Sequence, residues 1–251
     1  MRELSLFTGA GGGVYGSKLL GWQTLGYVEW EDYPQRVIAQ RIKDGIFDEA
    51  PIFTDVREFV QSGAARAYRG FVDVVSAGFP CQGFSQAGKG LAGKDPRNQW
   101  PATREVLREV EPELAWLENV PALLNHKYGQ RILAELAEIF PNIRGACIGN
   151  NELGQGVCNS ERLWILASKT NSAMLEGLDF QKYQITNPQE SFRRQHSRAI
   201  SEMLSQDDYT KLKRNSNAVA DGKHRLKAIG NGQVPLTMAC AYEILSGGVT
   251  K

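Results

Sequence analysis

From residue 3 to residue 167, short apolar runs alternate with stretches of helical period, and that alternation restricts the chain more than any other feature. Strands are expected at residues 3–8, 25–30, 52–55, 72–77, 113–118, 143–148 and 162–167. Helices are expected between them, over residues 14–20, 33–43, 56–67, 100–109 and 130–140, and again over 236–245. Strands interleaved with helices build βαβ units, whose parallel strands are covered on both faces. The expected fold class is therefore α/β, a doubly wound, mostly parallel sheet.

The pattern fades after Ser168. Residues 169–224 are polar, rich in Asn, Gln, Ser, Lys and Arg, and read as a small, reduced region appended to a main domain over residues 1–168. A compact pattern returns in the C-terminal segment, residues 225–251, which is expected to rejoin the main domain. With 251 residues, 42% of them hydrophobic, the chain can bury one sizeable core. Net charge is only +1, but residues 169–251 carry 12 basic and 8 acidic side chains, so any polyanion-binding surface is biased toward that end. Four cysteines, at 81, 147, 158 and 240, show no Cys-x-x-Cys spacing, and there are three histidines, so neither a disulfide framework nor a metal site is expected. Residues 1–3 run straight into a strand, and no apolar run reaches membrane-spanning length. A reduced, cytoplasmic setting is the expectation.

The candidate chemistry gathers at strand ends. Val72-Asp73-Val74-Val75-Ser76-Ala77 reads as a buried strand that empties into Gly78-Phe79-Pro80-Cys81-Gln82-Gly83-Phe84-Ser85. Cys81 follows a proline of fixed φ in a glycine-rich loop, a setting for a nucleophile rather than for a packed core thiol. Glu118-Asn119-Val120 ends the fifth strand at the same sheet edge, so Glu118 can face the cysteine loop. A thiol opposite a carboxyl able to stay protonated suits attack on an electron-poor heterocycle. The first loop, Gly11-x-Gly13-x-x-Gly16, matches a nucleotide-binding fingerprint that fits either NAD or S-adenosylmethionine. Glu29 could hold a ribose hydroxyl, Trp30 offers a flat face to an adenine ring, and Asp55 could accept from the adenine amino group.

Phe7-Thr8-Gly9-Ala10-Gly11, Gly78-Phe79-Pro80-Cys81-Gln82, Glu118-Asn119-Val120 and Gly230-Asn231-Gly232-Gln233-Val234-Pro235 occur in that order. In content and spacing they resemble the cytosine-C5 DNA methyltransferases, over residues 3–168 and 225–246. The resemblance implies the S-adenosylmethionine-dependent methyltransferase fold. It implies a cofactor pocket of Phe7, Gly9, Gly11, Glu29, Trp30, Asp55 and Pro80, closed by Asn231 and Val234, with Trp100 in a looser match. It further implies that Cys81 attacks C6 of a flipped-out cytosine, that Glu118 holds N3, and that Arg162 binds O2. Double-stranded DNA is the implied partner of what is expected to be a monomer, with no metal and no membrane.

Two departures stand out. The family's Gln-x-Arg-x-Arg pattern is replaced by Cys158-Asn159-Ser160-Glu161-Arg162, in which only the last arginine is kept. The region after Ser168 is short for target recognition. Its Arg193, Arg194, His196, Arg198, Lys211, Lys213 and Arg214 could contact phosphates or could be a solvated linker. A tRNA cytosine-5 methyltransferase and a catalytically impaired DNA-binding relative are the alternative readings. The loop from residue 85 to residue 98 is expected to close over the target base.

Overall fold

A computed structural model describes residues 1–80, 98–149, 161–170, 179–181 and 233–247. In chain order they form β1 (Arg2–Leu6), α1 (Gly12–Leu19), β2 (Gln23–Val28), α2 (Asp32–Lys43) and β3 (Ile52–Phe53). Then come α3 (Val56–Gln61), α4 (Ala64–Ala67), β4 (Val74–Ala77), α5 (Trp100–Val110) and β5 (Leu114–Asn119). A 3₁₀ turn at Pro121–Leu123 leads to α6 (Lys127–Ala137), β6 (Asn142–Gly149), β7 (Glu161–Ser168), β8 (Asp179–Gln181) and α7 (Pro235–Ser246).

The eight strands make one sheet in the order β3-β2-β1-β4-β5-β7-β6-β8. β3, β2, β1, β4 and β5 are mutually parallel, as the interleaved helices require. β7 enters antiparallel between β5 and β6. Only residues 150–160 separate β6 from β7, too few for the helical crossover a parallel pair needs. Strand order reverses between β1 and β4, so a crevice is expected at their carboxyl ends.

Side-chain alternation sorts the sheet into two faces. Leu4, Leu6, Val75, Ala77, Ala115, Leu117, Leu163 and Ile165 pack against Val56 and Phe59 of α3, Val106 and Leu107 of α5, and Ile132 and Leu136 of α6. The opposite parity puts Val74, Trp116, Trp164 and Leu166 under Leu236, Met238 and Ala239 of α7. There the Trp116 and Trp164 rings stack at 5.2 Å, and Tyr242 of α7 meets Trp116 edge-on at 5.5 Å. Glu3, Ser5, Ser76 and Glu118 share that second parity, so the polar residues of the sheet look toward α1 and α7.

Local rules set the helix ends. The single helix expected over residues 56–67 is two, because Gly63 takes a left-handed φ of 79° between α3 and α4. α6 starts before the expected residue 130, capped by His126, whose Nδ1 accepts from the Tyr128 amide. Pro235 opens α7 at a position that needs no amide donor, and Gly247 at φ 81° closes it. β8 lies in the polar stretch where no strand was expected. Among the described residues, no helix is long and apolar enough to cross a membrane, and no cluster of three or more His, Cys, Asp or Glu could hold a metal ion.

Among the described residues, the sheet buries one carboxyl with no cation bonded to it. Glu3 is fully buried and accepts from Ser17 Oγ at 2.8 Å, Ser76 Oγ at 2.6 Å and Thr24 Oγ1 at 2.9 Å, tying α1, β4 and β2 to β1. Burial pushes its pKa above the usual carboxylate range, and the three hydroxyl donors offset only part of that. The folded state then holds this proton more tightly than the unfolded chain, so stability falls as pH rises from the unfolded value of about 4.5 toward the raised one. Glu3→Gln keeps the shape, and the Thr24 hydroxyl can turn to accept from the new amide. Its melting temperature is expected to gain on the wild type as pH is raised from 4.5 to 8. A difference that stays constant across that window in thermal scans would contradict the account.

Candidate active site

At the carboxyl ends of β1 and β4 the sheet opens into a cleft of about 390 Å³, counting the solvent at its mouth. Residues 5–9, Gly13, residues 76–78, Glu118 and Gln233 line it. Its position is the crevice predicted by the reversal of strand order.

The first wall is strained. Phe7 leaves β1 with φ at 52°, a left-handed conformation that a bulky side chain adopts at a cost of about 1–3 kcal/mol. Gly9 and Gly11 follow with φ of 58° and 88°, which glycine tolerates. Thr8 Oγ1 bonds back to the Ser5 carbonyl at 3.0 Å, and the Gly9 amide donates to Glu29 Oε2 at 2.7 Å. The other Glu29 oxygen accepts from the Glu31 amide at 2.7 Å, so this acid pins the glycine loop to the start of α2. Burial raises the Glu29 pKa, against the lowering effect of those two amides. Trp30, next along, is 70% exposed and presents an open ring. Asp55 caps α3, accepting from the Arg57 amide at 2.8 Å.

All three glycines of the first-loop fingerprint face protein, Gly11 lying against the Phe47 ring, which a Cβ there would overlap. A Cβ on Gly13 would overlap Gln233 Oε1, and one on Gly16 would lie 2.6 Å from Met238 Sδ and 2.8 Å from the Pro235 carbonyl. Gly12 meets the Gln233 carbonyl in the same way. Gly12, Gly13 and Gly16 let α7 and the residues ahead of it press against α1. That use of Gly13 and Gly16 is distinct from contact with a nucleotide.

The second wall carries the acid. The Glu118 side chain is 13% exposed, and its Oε1 lies 3.1 Å from Arg162 Nε on β7. Its Oε2 lies over Gly78, 3.0 Å from where a Cβ on that residue would be. Burial pushes the Glu118 carboxyl above its usual range, while the Arg162 charge and a hydrogen bond from Gln233 pull it down. The net direction is upward, toward the protonated form.

Asn119, the next residue, donates from Nδ2 to the Phe79 carbonyl at 3.1 Å. It ties the end of β5 to the chain two residues ahead of Cys81. Trp100 is 1% exposed, its ring 5.4 Å from Phe79 and its indole N–H bonded to Glu135 at 2.7 Å. It therefore braces Phe79 from behind. Half-buried Pro80 is the last described residue before the loop.

The cleft thus brings Phe7, Gly9 and Glu118 together, with Arg162 bonded to Glu118. Glu29 joins through Gly9, while Trp30 and Asp55 lie beyond β2 and β3 and do not line it. Val234 is the residue before α7. Cys81, Asn231, residues 85–97 of the loop expected to close, Cys158 to Ser160 and the basic residues 193–214 lie outside the described residues. Gln233 was given no role from the sequence. Its one signal was an amide side chain inside a glycine-rich motif, just ahead of a helix-opening proline.

Residues 1–145 match the family model of C-5 cytosine-specific DNA methylases. The chain is 31% identical over 170 residues to the type II methyltransferase M.AplI of Arthrospira platensis, covering 66% of this chain and 45% of that protein. It is 34% identical over 137 residues to the type II methyltransferase M.NgoBI of Neisseria gonorrhoeae, covering 53% and 40%. The chain thus spans less than half the length of these curated relatives. In fold it is similar to the Entamoeba histolytica methyltransferase EhMeth (TM-score 0.66, 11% identity, 100% of this chain and 99% of that one). It is also similar to the S. pombe Dnmt2 methyltransferase (TM-score 0.64, 13% identity, 100% and 99%). By the family match over more than half of its length, the chain belongs to the C-5 cytosine-specific DNA methylases.

Proposed function

We propose that the protein methylates C5 of cytosine in double-stranded DNA, with S-adenosylmethionine as methyl donor. The observation that carries this reading is Glu118, a largely buried carboxyl biased toward its protonated form and seated over Gly78, three residues ahead of Cys81. The bound cofactor supplies an electrophilic methyl group on a sulfonium. Strained Phe7 and the Gly9–Glu29 hydrogen bond fit an adenosine-bearing ligand along the cleft, and the exposed ring of Trp30 lies outside it, where a ligand reaching past its rim would meet it. Gly11, Asp55, Pro80, Asn231 and Val234 complete that pocket in this reading, with Trp100 braced behind Phe79.

The target cytosine is flipped out of the duplex, at a cost of a few kcal/mol. The Cys81 thiolate adds to C6 while Glu118 holds N3 and favours its protonation, and Arg162 binds O2. Electron density then collects at C5, which would take the methyl group as the methyl–sulfur bond of the sulfonium breaks, its electron pair staying on sulfur and the donor leaving as a neutral thioether. Loss of the C5 proton and elimination of the thiolate restore the aromatic ring. Covalent addition is needed because C5 of free cytosine is a poor nucleophile, and the adduct splits one difficult step into easier ones.

Incubation with tritiated S-adenosylmethionine and separate pools of DNA and tRNA is the direct test, with label expected in DNA. Label confined to tRNA would move the reading to an RNA enzyme of the same chemistry. A duplex carrying 5-fluorocytosine at methylated positions is expected to stay covalently attached to the wild type and not to Cys81→Ser, because fluorine blocks the loss of the C5 proton. Methylation without a trapped species would refute the thiol adduct.

A further inference from the structure

Gln233 lies where three distant parts of the chain meet. Its Nε2 and Glu118 Oε2 both sit 3.0 Å from the point a Cβ on Gly78 would occupy, and its amide donates a hydrogen bond to the Glu118 carboxyl. Its Oε1 presses against Gly13 of the glycine loop. Arg162 Nε meets Glu118 from the other side, through Oε1. The terminal torsion of a glutamate is soft, so one partner leaves its carboxyl free to swing. Two donors on separate sides fix it.

We propose that Gln233 is a positioning residue for methyl transfer: its amide holds Glu118 in the aim that the flipped base requires, and docking of the C-terminal segment against α1 thereby completes the site. The proposal rests on the role given to Glu118 above. The choice of a neutral amide follows from the chemistry. A lysine or arginine at 233 would add a second cation beside Glu118 and hold it ionised, whereas an amide orients the group and leaves burial as the larger influence.

Gln233→Met in the full chain keeps the side-chain length and removes the donor. In the tritium assay, on genomic DNA from a host without cytosine methylation, its kcat is expected to fall about tenfold or more, the size seen when the hydrogen-bond partners that orient metal ligands are removed. KM for S-adenosylmethionine should change far less. Carbon-13 labelling of glutamate carboxyls gives a readout independent of turnover. The Glu118 resonance is the one missing from Glu118→Gln, and its titration midpoint should move to higher pH in Gln233→Met, because a donor favouring the ionised form is gone. Gln233→Glu serves if the methionine variant does not fold. Its added negative charge should move the midpoint further the same way.

Wild-type kcat in Gln233→Met, or an unmoved Glu118 midpoint in both variants, would overturn the proposal alone. A wild-type protein that methylates no nucleic acid would overturn the functional reading and this proposal with it.

Discussion

Glu118→Gln is expected to lower kcat for cytosine methylation by about 100-fold or more, within the range a positioned acid contributes. The amide is nearly isosteric and can still donate one hydrogen bond to N3, so binding of cofactor and DNA should survive. It cannot deliver a proton as the ring gains charge at C5. The stability effect should be small and opposite in sense to the loss of rate. Burial raises the Glu118 pKa, so the folded protein favours the neutral acid, and stability drains away as pH rises above about 4.5. A neutral amide removes that dependence, although Arg162 loses the partner 3.1 Å from its Nε. Melting scans at pH 5 and pH 8 should therefore show the variant gaining on the wild type at the higher pH. Single-turnover rates measured beside them decide the chemistry. Near-wild-type turnover would remove Glu118 from the mechanism.

The sequence disclosed the sheet because its cues are local. Apolar runs of strand length, separated by helical patterns, placed β1 through β5, and glycine or an acid after each run marked the carboxyl edge where the cleft opens. Glu118 was visible because Glu-Asn-Val follows such a run directly. Pairing direction was less visible. Nothing in residues 143–148 or 162–167 distinguishes an antiparallel strand from a parallel one, and the reversal of β7 comes from the short connection before it.

Hidden altogether was what the glycines of α1 are for. The Gly11-x-Gly13-x-x-Gly16 spacing points to a nucleotide, yet Gly13 and Gly16 are filled by Gln233, Pro235 and Met238, more than 200 residues away in sequence. Contacts of that separation leave no periodic trace. Glu3 was equally silent: a charged residue beginning a strand reads as exposed, and only the fold brings Ser17, Thr24 and Ser76 around it.

Gly12→Ala is expected to be among the most damaging single-methyl changes in the chain. The added Cβ would overlap the Gln233 carbonyl oxygen, which is backbone and cannot rotate away. Overpacking of this kind costs about 1–3 kcal/mol, and more where backbone must shift. In a chain of this size each kcal/mol lowers the melting temperature by about 2–4 °C. Methyl transfer should fall as well, since the segment pushed off α1 carries the amide that holds Glu118. Two companions separate the causes. Gly21→Ala sits at φ 70° with open space around it, so it should lose some stability through backbone strain and keep its turnover. Gly13→Ala meets only the flexible end of Gln233, which can swing aside. It should therefore melt near the wild type yet lose rate, because the displaced amide no longer reaches Glu118. If Gly12→Ala and Gly13→Ala both melt and turn over like the wild type, the C-terminal segment does not dock on α1 as described, and the link from Gln233 to Glu118 goes with it.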